Sequence, residues 1–212
     1  MKIGIICATG KAGELILNEA LARGHEVTAI VRNKSKLKTD KVKVIEKDAF
    51  SLTKADFIDL DVLVNAYGAP LDKDTESNHI KLGRLLINAL AHTKTRLIVV
   101  GGAGSLFTDK LHQKRVVETL PEFVHPIANG QLKNLLDLES SSNLNWTFIS
   151  PAMIFDYHGP KTGKYVIGKD ELILNAKGES YVSYLDYAIA LLDEIEHPKH
   201  LNQRFTVVAE SK

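Results

Sequence analysis

The residues best suited to chemistry stand at the start of this 212-residue chain, where Lys2 to Gly13 reads Lys-Ile-Gly-Ile-Ile-Cys-Ala-Thr-Gly-Lys-Ala-Gly. A short β-branched run leads into a glycine-punctuated turn and then directly into a helix. Gly10 has no Cβ, so a pyrophosphate can lie against the backbone of Thr9, Gly10, Lys11 and Ala12, and Gly13 lets the first helical turn approach the strand closely. The N–H groups at the start of that helix have no partner within it, and the helix dipole favours an anion there. Roughly 20 residues further on, a site for NAD places an Asp or Glu on the ribose hydroxyls. Here that place holds Arg32, with Lys34 and Lys36 nearby. A guanidinium cannot accept a hydrogen bond from a ribose but can grip a 2′-phosphate in a charge-assisted pair. The plainer alternatives are an ordinary βα turn and a solvated basic loop.

Other patterns carry less. Tyr157 and Lys161 have the Tyr-x-x-x-Lys spacing of a proton-donating dyad, but Gly159 and Pro160 lie between them, so no helix can put both side chains on one face. Gly102-Ala103-Gly104-Ser105 lacks the glycine spacing of a nucleophile elbow. The eight histidines show no metal-ligand spacing, and no metal is expected. Ser105 is left as the candidate catalytic residue, a hydroxyl that could orient a substrate or water, against simple capping of its own loop. The single cysteine, Cys7, excludes an internal disulfide. It is expected to be an inert buried thiol at negative φ, with a reactive thiol at the helix N-terminus as the alternative.

The elements that must position these residues alternate strand and helix. A helix over 14–23, with Leu15, Ile16, Ala20 and Leu21 on one face and Gly24 as its stop, leads to a strand over 26–31. Strands follow over 42–46 and 61–65, the second ending in Asn65-Ala66-Tyr67-Gly68. A helix spans 75–92, a strand 96–100 ends in the Gly101 to Ser105 segment, a helix spans 131–139, and a strand 147–150 is closed by Pro151. Such alternation predicts a doubly wound parallel α/β sheet, with ligands beyond the carboxyl ends of the strands. After Pro151 the glycines and prolines mark a long irregular stretch, expected to be a substrate-side flap. It is followed by an amphipathic helix through Leu185 to Ile195, with Ser183 and Asp186 as a capping box, and a strand over 205–209. One domain over 1–212 is expected, with 151–212 as its substrate-side extension. The 27 basic and 26 acidic residues nearly cancel, which points away from nucleic acid or an anionic membrane and towards a small-molecule partner. Without a leader or a long apolar run, the chain reads as cytoplasmic and soluble.

Several segments together resemble one family. They are Cys-Ala-Thr-Gly-Lys-Ala-Gly at 7–13, Val-Val-Gly-Gly-Ala-Gly-Ser-Leu at 99–106, Trp-Thr-Phe-Ile-Ser-Pro-Ala at 146–152, Thr162-Gly163-Lys164-Tyr165, the helix over 183–193, and Gln203-Arg204-Phe205-Thr206. With these motifs the chain is similar to the NADH-flavin reductases, a branch of the atypical short-chain dehydrogenase/reductase superfamily related to biliverdin reductase B. The resemblance spans nearly the whole sequence. It implies a Rossmann-like fold that binds NAD(P)(H), with adenine and its ribose near Asp48, Ala66, Tyr67 and Gly68. The nicotinamide would lie under the loops after the fifth and sixth strands, near Gly102, Pro151 and Ala152. One position departs from the family: its turn begins with glycine, and this chain has Cys7.

Hydride transfer to a flavin needs little beyond stacking two rings at the right distance, so the absence of an acid/base dyad is tolerable. The expected activity is reduction by NADP(H), with NAD(H) second, of a flavin, quinone or similar planar acceptor in a pocket formed by Ser105, Leu106, Pro151, Met153 and Phe155. The alternative from another class is a protein that binds NADP(H) and reports it without turnover. A sugar-nucleotide or carbonyl enzyme is disfavoured by the missing dyad.

Overall fold

The computed structural model describes residues 1–211. The first half runs β1 (Lys2–Ile6), α1 (Lys11–Ala22), β2 (Glu26–Val31), β3 (Lys43–Glu46), β4 (Val62–Asn65), α2 (Thr75–Leu90) and β5 (Arg96–Val100). The second half runs α3 (His125–Glu139), β6 (Trp146–Ser150), β7 (Ile154–Asp156), β8 (Tyr165–Gly168), β9 (Tyr181–Ser183), α4 (Tyr184–Glu196) and β10 (Gln203–Ala209). Eight of the strands form one sheet in the order β3-β2-β1-β4-β5-β6-β10-β8, parallel throughout except where β8 pairs antiparallel with β10. The order reverses between β1 and β4, so a crevice opens beyond their carboxyl ends, where a doubly wound sheet binds its ligand.

Side-chain alternation along β1 decides which layer each residue supports. Ile3 and Ile5 pack with Ile16 and Ala20 of α1 and Leu191 of α4, whereas Ile6 faces Leu82 and Leu86 of α2 and Leu135 of α3. All of these side chains are fully buried, and each isoleucine or leucine among them stabilises the fold by about 1.5–3 kcal/mol relative to exposure. α1 and α4 are further tied by Arg23, which reaches Asp193 and Glu196 at 2.7 Å each. At the amino end of the sheet, Arg96 is buried on the carboxylate of Glu194, whose other oxygen lies 2.8 Å from Nδ1 of His200. That cluster locks α4 to β5 far from the crevice.

Several boundaries differ from those expected. α1 begins at Lys11 rather than at residue 14, because the N–H of Glu14 already donates to the carbonyl of Gly10 at 2.8 Å, placing Gly13 inside the helix. α3 begins at His125, six residues early, with a proline in its first turn, where a missing N–H costs nothing. The stretch after Pro151 contains three short strands. β7 and β9 pair parallel as a separate two-stranded sheet, and β8 closes the edge of the main one. Strands of three or four residues give too little alternation to be read from sequence.

Candidate functional site

A cleft of about 950 Å³ opens over the carboxyl ends of the strands. All of Thr9, Gly10, Lys11, Ala12, Arg32, Asp48, Ala66, Tyr67, Gly68, Gly102 and Pro151 line it. Residues spread over most of the chain are thus brought to one wall by the parallel topology.

The glycine turn forms the middle of the cleft. Cys7 follows the last residue of β1, its N–H held on the carbonyl of Ile30 at 3.0 Å, and its own carbonyl accepts from the N–H of Gly10 at 2.8 Å. Gly10 is the N-cap of α1, and no side chain caps that helix. The first-turn N–H groups therefore face the cleft without intrahelical partners. Gly13 has to be glycine, since a Cβ there would lie 2.2 Å from the Cys7 carbonyl oxygen.

Cys7 itself corrects an expectation. Its φ is +58°, in the left-handed region where glycine is at home, rather than negative. The departure from the family glycine is thus a substitution at a position whose backbone still demands glycine geometry. The half-buried Cys7 lines the cleft, and burial pushes its thiol pKa up to about 11 while Arg32 pulls the other way, which favours the protonated form at neutral pH. Cys7→Gly is expected to bind nucleotide as well as the wild type and to change stability by no more than about 1 kcal/mol. Relief of left-handed strain offsets the extra freedom of glycine in the unfolded chain. Thermal melts and a nucleotide titration check this, and rapid alkylation of native Cys7 at neutral pH would contradict it.

One end of the cleft is basic. Arg32, Asn33 and Lys36 line it, while Lys34 turns away to Glu46 at 3.5 Å and Lys38 to Glu14 at 2.7 Å. Arg32 and Lys36 make no ion pair among the described residues. Asp48 lines the same end, its carboxylate accepting from the N–H of Phe50 at 2.9 Å, which fixes Phe50 edge-on to Tyr67 with ring centres 5.7 Å apart. Tyr67 in turn meets His79, whose pKa burial lowers to about 4, so it stays neutral and accepts from the N–H of Ala69.

The other end is apolar. Val124, Ile127, Pro151, Ala152, Met153 and Phe155 line it, joined by Gln131 and Tyr184. Ser105 and Leu106 do not, contrary to expectation. Ser105 is 1% and Leu106 0% exposed. A short 3₁₀ turn at Ala103–Ser105 rotates the serine inward. Its hydroxyl donates to the carbonyl of Gly102 at 3.0 Å, lies 3.2 Å from the hydroxyl of Ser150, and accepts from Arg204 at 3.3 Å. It holds the loop from behind, which is the capping alternative. Tyr157 and Lys161 form no dyad: Lys161 pairs with Glu19 at 2.7 Å, and Tyr157 lies under the ammonium of Lys11, 5.4 Å from ring centre to nitrogen.

Gln131, Phe50, Ile127 and Tyr184 were not legible as site residues. Tyr184 opens α4, Ile127 and Gln131 lie in the first half of α3, and Phe50 lies in the turn after β3; helix periodicity and the Ser183 cap place the helices in the fold, but nothing marks these side chains as facing the cleft. Among the described residues there is no cluster of three or more His, Cys, Asp or Glu able to hold a metal, and no helix long and apolar enough to cross a membrane.

The wall fits a nicotinamide dinucleotide. An uncapped helix start behind a glycine turn suits the pyrophosphate, two uncommitted cations suit the nucleotide end, and an apolar floor suits a flat ring. A family model described as NAD(P)H-binding matches residues 7–198. The protein YwnB of Bacillus subtilis (strain 168) is 55% identical over 216 aligned positions that cover all of both chains. Among solved structures, SP1627 of Streptococcus pneumoniae TIGR4, named a "putative NADH-flavin reductase", is 43% identical with a TM-score of 0.94, over 99% of this chain and all of that one. ChuY of Escherichia coli O157:H7, named an anaerobillin reductase, is similar at TM-score 0.75 over 98% of this chain and 97% of its own, and at 18% identity it supports the fold alone. The chain therefore belongs to the NAD(P)H-binding family.

Proposed function

We propose that the protein is a cytoplasmic, NADPH-preferring reductase that passes a hydride to a flavin, quinone or similar planar acceptor. The observation that carries this reading is the polarity of the cleft, from Arg32 and Lys36 at one end, across the uncapped start of α1, to Pro151, Met153 and Phe155 at the other. The bound dihydronicotinamide supplies the hydride. Everything else falls to the chain. The N–H groups of the first turn of α1 and the Lys11 ammonium hold the pyrophosphate, and Arg32 and Lys36 hold a 2′-phosphate. Asp48 and Tyr67 border the adenosine, Ala66 and Gly68 leave room for it, and Gly102 and Pro151 set the floor beneath the nicotinamide. The residues of 151–212 that reach the cleft then cover the acceptor and exclude water from the two stacked rings.

The test is NADPH consumption by the purified chain with riboflavin or menadione added. Acceptor-dependent oxidation well above the buffer rate is expected, faster with NADPH than with NADH. Tight NADPH binding with no oxidation above buffer across flavins, quinones and small carbonyls would favour the nucleotide-reporting alternative, and a partner whose affinity varies with NADP(H) would then be required by linkage.

A further inference from the structure

The chain has six tyrosines, and the fate of each hydroxyl singles one out. Tyr165 donates to Asp193 at 2.5 Å, Tyr181 to Asp156 at 2.9 Å and Tyr187 to the carbonyl of Ile149 at 2.8 Å. The hydroxyls of Tyr67, Tyr157 and Tyr184 have no hydrogen-bond partner among the described residues. Tyr157 does not line the cleft, and Tyr67 stands at the basic end beside Phe50 and Asp48. Only Tyr184 brings an uncommitted phenol to the apolar end, beside Met153 and Phe155.

Its ring is rigidly held, although its oxygen is free. Tyr184 stacks on Phe155 with ring centres 3.7 Å apart and planes 12° from parallel, and Tyr157 meets it edge-on at 5.6 Å. Phe155 rests in turn on Tyr187, 4.9 Å between centres. Tyr184 is also the first residue of α4, whose N-cap Ser183 accepts from the N–H of Asp186 at 3.0 Å. The buried Asp186 carboxylate clamps the neighbouring segment, accepting from the N–H groups of Thr162 and Gly163 at 2.8 Å each and from the Thr162 hydroxyl at 2.6 Å. A phenol fixed this firmly, with nothing to donate to, is preorganised for a ligand.

We propose that Tyr184 is the catalytic proton donor to the acceptor, a planar molecule with a conjugated carbonyl or ring nitrogen lying over Pro151, Met153 and Phe155. The inference rests on the reductase reading. In the step, the C–H bond of the dihydronicotinamide breaks and its electron pair moves with the hydrogen to the acceptor. The acceptor heteroatom that gathers the negative charge takes the proton as the Tyr184 O–H bond breaks, and solvent returns a proton to the phenolate. The nicotinamide is oxidised and the acceptor reduced by two electrons. Burial first, and then the neighbouring Tyr157, raises the pKa of Tyr184, so it remains a donor through the physiological range.

Tyr184→Phe preserves the stack on Phe155 and removes only the hydroxyl. The kcat for riboflavin and for menadione is expected to fall about 100-fold or more, the typical contribution of a general acid, with NADPH affinity unchanged. Riboflavin binding to the cofactor-free protein, read by quenching of its fluorescence, should weaken by about 2- to 12-fold, the loss of one neutral hydrogen bond. A variant with wild-type kcat, or with wild-type affinity for riboflavin, overturns the assignment while the reductase reading stands. A wild-type protein that reduces neither acceptor overturns both.

Discussion

Arg32→Ala is expected to weaken NADPH by about 10- to 150-fold while leaving NADH nearly untouched, because one charge-assisted hydrogen bond to a phosphate contributes about 1.5–3 kcal/mol. The size of the effect depends on whether a neighbour can take over. Lys34 cannot without leaving Glu46, whose carboxylate also accepts the Lys34 N–H at 3.0 Å and is held below the usual carboxylate range by that bond. Lys38 is engaged with Glu14. Of the other lysines at that end of the cleft wall, Lys47 is held by Asp56 at 2.8 Å, which leaves Lys36, and as a flexible point charge it replaces the bidentate fork only in part. Titration of both nucleotides against both proteins measures the difference, and raising the salt concentration should shrink the preference in the wild type more than in the variant. Equal wild-type affinity for NADPH and NADH would remove the basis for assigning Arg32 to the 2′-phosphate.

The cleft as a whole shows why so much of the candidate site was legible. Every cofactor residue named from sequence sits at the carboxyl end of a strand or just beyond it. Once the βαβ order is recognised, topology alone delivers those positions to one wall, whatever the side chains do locally. Ser105 failed because position is not direction: it follows the right strand, yet the 3₁₀ turn points its hydroxyl into the core towards Ser150 and Arg204, the latter 99 residues away in sequence. Cys7 failed in a related way. Its place in the turn was readable, but its φ is set by the Gly10 N–H and Ile30 carbonyl that grip the backbone on both sides, and these contacts outweigh the local preference of a side chain for negative φ. Tyr184 and Gln131 belong to a third kind. They reach the cleft because of how α3 and α4 pack against α2 and α1, which a single sequence shows only weakly even where, as at Ser183 and Asp186, it marks the helix start.

Gly13→Ala is expected to cost both nucleotides about 100-fold or more, which separates it from Arg32→Ala, where only the phosphorylated nucleotide suffers. The added methyl would lie 2.2 Å from the carbonyl oxygen and 2.9 Å from the carbonyl carbon of Cys7, and 3.0 Å from the Cα of Ala8. All three are backbone atoms, so no rotamer change relieves the clash. Either α1 slides away from the end of β1 or the turn through Gly10 is pushed into the cleft. Alanine is the better helix former by about 1 kcal/mol, whereas overpacking costs about 1–3 kcal/mol, so the net loss of stability is modest and the variant still folds. Binding is hit harder, since moving the turn misaligns the N–H groups that receive the pyrophosphate. Losing two such bonds at about 1.5 kcal/mol each already amounts to about 150-fold. Thermal melts alongside NADPH and NADH titrations separate the two effects. If Gly13→Ala melted higher than the wild type and bound both nucleotides normally, helix propensity would be all that the glycine affects, and the pyrophosphate would have to lie elsewhere in the cleft.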